Sequence, residues 1–164
     1  MSLAARNRCT GKRLITNMNV CLAYFPRAFS THRDARAAFE TLIEESAAFL
    51  TSDTSPAGCM ISLAGTHLPP HLRSVADFTK GVRKLSEQAL ASRLRKGVSD
   101  GDLPPETNVK ELAVYFIVVF RGMAAQARDG ASRKQLLAIG RVAMRAWPST
   151  SRILSTSEAV SHRT

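Results

Sequence analysis

The residues most able to do chemistry in this sequence are one cysteine and two histidines that lie close together in the chain. Cys59, His67 and His71 carry thiol and imidazole groups, and zinc prefers these groups as ligands. However, Pro69 and Pro70 separate the two histidines, and the spacing matches no common zinc pattern. We therefore expect no metal site, and we expect Cys59 to be a small buried side chain.

Catalytic groups are also hard to find. A nucleophilic cysteine needs a neighbouring base and an electropositive environment, and nothing in the sequence argues for either around Cys59. The adjacent carboxylates Glu44 and Glu45 fall on the polar side of a predicted helix, where water would solvate them. The sequence contains no glycine-rich phosphate loop. We therefore predict that the protein is not an enzyme and uses no cofactor.

Positive charge is concentrated at the start of the chain. The formal net charge is +10 over 164 residues. Residues 1–33 contain six basic residues and no acidic one, whereas residues 34–148 contain fifteen basic and twelve acidic residues. Because the body of the chain is nearly balanced, its charge argues against DNA binding by the body itself.

The sequence divides into a basic leader (residues 1–33), a helical domain (34–148) and a polar tail (149–164). The leader has no sustained helical or strand period. It is compatible with an organellar targeting peptide, with an arm that binds nucleic acid, or with a segment that has no independent fold, which is the favoured interpretation. The three cysteines form no C-x-x-C pair, which favours a reducing compartment, and we expect the cytoplasm.

From Thr31 onward, apolar residues recur at helical spacing and the helix boundaries are marked. Thr31 and Asp34 form a loose capping-box pattern. Asn108 can cap a later helix, and Ser132 with Gln135 forms a further capping box. The predicted helices cover residues 34–50, 56–66, 70–99, 108–128 and 133–147. With no credible strand, we predict an all-α fold, an antiparallel helix bundle of about five helices.

The most apolar stretch is ELAVYFIVVFRG, residues 111–122. A membrane-spanning helix needs about 20 apolar residues, and Arg121 ends this run early, so we expect no membrane segment. A helix packed on one core has one apolar stripe, but Val114, Ile117 and Val118 make a second apolar side. Because exposing such a patch would be costly, either other helices or a second copy of the chain should cover it.

The last predicted helix is also apolar on two sides, and it contains small residues that would let a partner approach closely. Two adjacent helices of this kind suit a homodimer in which each chain contributes two helices to the interface. The alternative is that both are central helices of a monomeric bundle. The expected interface residues are Val114, Ile117, Val118, Arg121, Leu136, Ile139, Gly140 and Ala143.

Several short motifs occur together in a specific order. Gly58-Cys59 opens a helix, G-D-L-P forms a connector at residues 101–104, R-G-M lies at 121–123, and A-W-P ends the last helix at 146–148. Over residues 35–148 the sequence closely resembles the C-terminal regulatory domain of TetR-family transcriptional repressors. The resemblance implies an all-helical domain that dimerises through its last two long helices and holds an effector between the others.

The resemblance does not extend into residues 1–33. Family members carry an N-terminal three-helix domain whose helix-turn-helix binds operator DNA, and the leader lacks the helical period that such a domain requires. We therefore expect the DNA-binding domain to be missing or replaced. On this hypothesis the chain is a truncated regulator whose leader arose by rearrangement or from another reading frame.

A ligand cavity in such a bundle would be lined by apolar and aromatic side chains with a few polar groups. A small apolar or aromatic effector is the expected ligand, with His67 or Tyr115 as its polar contact. The candidate lining residues are Met60, Leu63, His67, Phe78, Val82, Tyr115, Phe116, Phe120 and Met123. Ordinary core packing is the alternative explanation for each of these residues.

Three functions remain open at this stage. The favoured one is a ligand-sensing, dimerising domain that takes part in transcriptional regulation. The second is a helical protein-interaction module with no ligand or DNA role. The third is DNA binding through the basic leader, which would weaken steeply with salt.

Overall fold

The computed structural model describes residues 28–53, 57–63 and 70–149, and in these ranges every regular element is a helix. The α-helices are α1 (Ala35–Leu50), α2 (Met60–Leu63), α3 (Arg73–Ser99), α4 (Val109–Arg128) and α5 (Arg133–Ala143). Two 3-10 turns, Pro70–Leu72 and Met144–Ala146, precede α3 and follow α5. The all-α prediction is confirmed. Most of the predicted leader and tail, residues 1–27 and 150–164, lies outside these ranges.

The start of α1 is fixed by two acidic side chains. The Asp34 carboxylate accepts a hydrogen bond from the N–H of Ala37 at 2.7 Å, and the Asp102 carboxylate accepts one from the N–H of Ala35 at 2.9 Å. These bonds satisfy N–H groups that have no partner within the first helical turn. Thr31 is not the cap that the sequence pattern suggested, because it ends a separate helical turn at residues 28–31.

Helices α4 and α5 begin where the sequence predicts. The side chain of Asn108 accepts a hydrogen bond from the backbone N–H of Glu111 at 3.3 Å. Ser132 and Gln135 form the complete capping box. After α4 the chain turns at Gly130, whose φ of +94° lies in the left-handed region that glycine adopts without a steric penalty.

Helix α2 begins later than the predicted helix at residues 56–66. Gly58 has a φ of +87°, and its N–H donates to the carbonyl of Leu50 at 3.1 Å. This bond joins Gly58 to the last residue of α1, and the next helix begins two positions after Gly58, at Met60. A side chain at Gly58 would also come within 3.0 Å of the Ala124 carbonyl in α4. The predicted start at Pro56 and the predicted end at residue 66 lie outside the described ranges.

Helices α1 and α4 meet in a buried aromatic cluster, which we define as Phe29, Phe39, Phe116 and Trp147. The ring of Phe39 in α1 lies edge-on to Phe116 in α4, with 4.8 Å between the ring centroids. Trp147 lies 5.1 Å from Phe39, and Phe29 stacks on Phe39 at 5.9 Å. Aromatic pairs in these geometries stabilise a core beyond the area that they bury.

The segment before α1 already packs on the bundle. The Arg93 side chain in α3 is buried, and its Nη2 donates to the carbonyl of Arg33 at 2.5 Å. Ala28 is fully buried and Phe29 belongs to the aromatic cluster. Residues 28–33 therefore pack with the helical bundle, which differs from the expected domain boundary at residue 34.

Candidate ligand-binding site

A cavity of about 80 Å³ opens between α1, α2, α3 and α4. One water molecule needs about 10–15 Å³ on this scale, so the space accommodates several waters or a small organic molecule. Its walls combine apolar residues with two arginines, three serines and a cysteine. The lining residues are Leu42, Ser46, Phe49, Leu50, Cys59, Ile61, Ser62, Arg83, Ser86, Ile117, Phe120, Arg121 and Ala124.

Helix α4 contributes one continuous stripe to the cavity wall. Ile117, Phe120, Arg121 and Ala124 follow the i, i+3, i+4, i+7 spacing of a single helix face. Phe120 was predicted to line a ligand cavity. Ile117 and Arg121 were assigned to the dimer interface from the sequence, and in the structure both line the cavity.

Arg83 of α3 is a charged group of the cavity wall. Its Nη1 donates to the backbone carbonyl of Ile61 in α2 at 2.9 Å, which fixes the guanidinium at the wall. Burial, and then the positive charge of Arg121, lower the pKa of Arg83 below its ordinary value. Arginine stays protonated at neutral pH even so. The nearby Ser86 hydroxyl donates to the carbonyl of Val82 at 3.2 Å.

Three of the other residues predicted for the pocket are core residues. Phe116 and Met123 have no exposed surface, and Val82 is buried. They hold the helices together without reaching the cavity, since none of them is part of its lining. These three residues therefore fit ordinary core packing, which was the alternative to a ligand-lining role.

The remaining pocket candidates lie outside the cavity lining. Phe78 and Tyr115 are exposed, while Met60 and Leu63 of α2 are half-buried. The Tyr115 hydroxyl donates to a backbone carbonyl of α5 at 3.4 Å, so it is not aimed at a ligand. His67 lies outside the described residues.

Part of the predicted dimer interface is buried within the single chain. Leu136, Gly140 and Ala143 of α5 are buried, and α5 packs on α1. A Cβ atom at Gly140 would overlap the Cγ2 atom of Ile43 in α1. The small residue therefore accommodates a neighbouring helix of the same chain, which leaves these three positions no surface for a second copy. Ile139 is half-buried against the same core.

A second group of apolar side chains is exposed on α4 and α5. Val118 is 59% exposed and Val142 is 60% exposed, and Val114 and Tyr115 are exposed beside them on α4. The hydrogen bond from Tyr115 to the Ala143 carbonyl shows that the two helices bring these residues together. We call Val114, Tyr115, Val118 and Val142 the apolar face.

The polar cavity residues were not found from the sequence. Ser46, Ser62, Arg83 and Ser86 resemble solvated helix positions when composition alone is considered. A signal was present on α1, where Ser46 lies between Leu42 and Phe49 at the i, i+4, i+7 spacing of one face. Ser46 thus interrupts an apolar stripe of α1 with a small polar side chain, and all three residues of this stripe line the cavity.

Metal binding finds no support in the part of the chain that the structure describes. Cys59 lines the cavity, but nowhere in these ranges do three or more His, Cys, Asp or Glu side chains lie close enough to hold a metal ion. Within the same ranges, no helix combines the length and the apolar character that a membrane crossing requires.

Known proteins share this arrangement of helices, although no family model matches the sequence. One match is the TetR family transcriptional regulator CifR, solved as a cysteine mutant complexed with 26-bp double-strand operator DNA. The two structures superpose with a TM-score of 0.80 and 32% sequence identity, and the match covers 85% of this chain and 73% of CifR. A putative TetR transcriptional regulator from Rhodococcus sp. RHA1 matches with a TM-score of 0.66 and 28% identity, covering 77% and 66% of the two chains.

A curated relative agrees with the solved structures. The chain is 33% identical over 98 residues to the HTH-type transcriptional repressor ComR of Escherichia coli (strain K12), a match covering 60% of this chain and 47% of ComR. It thus spans about half the length of this relative. By fold and by sequence, these matches place the chain among the relatives of transcriptional regulators. The chain belongs to the TetR family of these regulators.

Proposed function

We propose that the described bundle is the ligand-sensing and dimerising part of a transcriptional regulator. The observation that carries this proposal is that one helix, α4, contributes to two sites. Phe120 and Arg121 line the cavity, whereas Val114 and Val118 belong to the apolar face. A ligand that moves α4 would therefore act on both sites together.

The apolar face supports association with a second copy. Valine side chains gain about 1.5–3 kcal/mol each when they leave water completely, and Val118 and Val142 are both mostly exposed in the single chain. Because the face lies on two neighbouring helices, a two-fold axis through it would bring together four helices, two from each chain. The dimer interface proposed here consists of the apolar face, without the buried residues of α5.

The cavity supports the binding of a small molecule with an apolar or aromatic body. Phe49 and Phe120 offer aromatic contacts, and the polar groups of the lining can fix the orientation of a ligand. A ligand that prefers one arrangement of the helices would shift the population toward that arrangement. The affinity between the two copies would change with it, which is the coupling that defines a ligand-responsive regulator.

Helix α3 extends the coupling toward the segment that precedes α1. Arg83 and Ser86 of α3 line the cavity, and Arg93 further along the same helix donates to the carbonyl of Arg33. Movement of α3 would therefore displace the segment that contains Arg33. We place no DNA contact in the bundle itself, since residues 34–148 hold nearly equal numbers of basic and acidic side chains.

The test of this proposal is the mass of two charged variants. In Val118→Glu a carboxylate lies in the middle of the apolar face, and desolvating it on association is costly. The matched control is Leu85→Glu, because Leu85 is 53% exposed on α3 and is not part of the face. Size-exclusion chromatography with light scattering should show a dimer for the wild type and for Leu85→Glu, and a monomer for Val118→Glu.

Two results would contradict the proposal. A wild type that stays monomeric at every concentration would favour the interaction-module alternative. A Val118→Glu variant that keeps the dimer mass would show that the apolar face is not the interface.

A further inference from the structure

The charged lining residues of the cavity are both positive. Arg83 comes from α3 and Arg121 from α4, and among the residues that the structure describes no aspartate or glutamate lines the cavity. Glu45 precedes the lining residue Ser46 in the chain, but it is not part of the lining. The cavity is therefore an apolar space with a positive side.

The two guanidinium groups act on each other. Arg83 and Arg121 line the same cavity. Burial lowers the pKa of Arg83, and the positive charge of Arg121 lowers it further. Arg83 is also held in place by its bond to the Ile61 carbonyl. An anion between the two groups would replace this repulsion with two charge-assisted hydrogen-bonding partners.

The rest of the lining defines the body of the ligand. Leu42, Phe49, Ile117 and Phe120 present aliphatic and aromatic carbons. Serine hydroxyls in the lining can donate further hydrogen bonds to an oxygen atom. The volume of about 80 Å³ limits the ligand to a small molecule.

We propose that the cavity binds a small organic monocarboxylate, with its carboxylate at Arg83 and Arg121 and its aliphatic or aromatic body against the apolar wall. A guanidinium fork matches the two oxygens of a carboxylate in geometry as well as charge. This inference rests on the proposed ligand-sensing function and adds the chemical class of the ligand.

The experiment compares two probes of the same shape on the full chain. The first is 3-phenylpropanoate and the second is its neutral amide, 3-phenylpropanamide. Isothermal titration calorimetry measures the dissociation constant of each, and thermal denaturation checks that binding stabilises the fold. We expect the carboxylate to bind at least about tenfold more tightly than the amide.

Three variants identify the groups that recognise the charge. Arg83→Met and Arg121→Met each remove one guanidinium and keep an unbranched side chain, and each should weaken carboxylate binding by about tenfold or more. Arg95→Met is the control, because Arg95 is exposed on α3 and does not line the cavity. It should leave the dissociation constant unchanged. Because Arg121 is itself exposed, its variant tests the inference even where Arg83→Met disturbs folding.

The possible outcomes separate this inference from the function on which it rests. Equal binding of the two probes, with no effect of Arg121→Met, would overturn the carboxylate assignment and leave ligand sensing in place. Failure of both probes to bind at millimolar concentration would count against the cavity as a ligand site of either kind. Tighter binding of the carboxylate that neither arginine variant weakens would also overturn the assignment.

Discussion

Phe116 and Phe120 lie one turn apart on α4, but their surroundings differ. Phe116 has no exposed surface and lies edge-on to Phe39, within the aromatic cluster. Phe120 is half-buried and borders the cavity. The level of Phe116 is therefore filled core, whereas the level of Phe120, one turn later on the same helix, borders an open cavity.

The difference comes from the partners that each level receives. At the aromatic cluster, Phe39 and Trp147 fill the room around Phe116. At the cavity, the helices opposite Phe120 supply small residues such as Ser46 and Ser62. Large side chains at the first level stabilise the fold, and small ones at the second level make room for a ligand. The two levels should therefore respond differently to substitution.

The largest effect should come from truncating the two phenylalanines. Phe116→Ala removes a fully buried ring and should lower the free energy of unfolding by about 3–5 kcal/mol. Phe120→Ala should cost about 1–2 kcal/mol, because a half-exposed ring loses less buried area. Urea denaturation at one fixed protein concentration gives both values. Equal losses would show that the cavity level is packed as tightly as the aromatic cluster.

Gly140 tests how closely α5 and α1 pack beside the aromatic cluster. Gly140→Ala should lower the free energy of unfolding by about 1–3 kcal/mol, because the new Cβ would overlap the Cγ2 atom of Ile43. Ile43 is β-branched and buried, so its side chain has little freedom to move away. Urea denaturation again provides the measurement.

A double-mutant cycle gives the physical reason for that loss. Ile43→Ala removes the Cγ2 atom, so the double variant should lose less stability than the sum of the two single variants. Strict additivity would mean that Gly140 is needed for something other than room for Ile43.

The helix boundaries that could be predicted depend on local chemistry. Asn108 and Ser132 cap their helices by bonds to residues three positions later, and sequence spacing is enough to find such bonds. The start of α2 could not be found in this way. It depends on Gly58, whose conformation closes α1 and whose lack of a side chain admits the carbonyl of Ala124. That contact joins parts of the chain far apart in sequence.

The site was harder to predict than the fold for a related reason. Helical periodicity showed that α4 has two apolar sides, but it does not say which neighbour each side meets. Ile117 was therefore assigned to a partner chain although it faces the cavity, and Phe116 was assigned to a ligand although it faces Phe39. Arg83 was missed because only the fold shows that it reaches α2.

Filling the cavity should produce the smallest change in stability, and of the opposite sign. Ser46→Leu places apolar atoms in the space, so the free energy of unfolding should rise by about 0.5–2 kcal/mol. The same variant should lose binding of 3-phenylpropanoate and of its amide, because the ligand and the leucine compete for one volume. Ser92→Leu, at an exposed position of α3, is the control and should change neither quantity. If Ser46→Leu is stabilised but binds both probes as the wild type does, the cavity is a packing gap and the ligand site lies elsewhere.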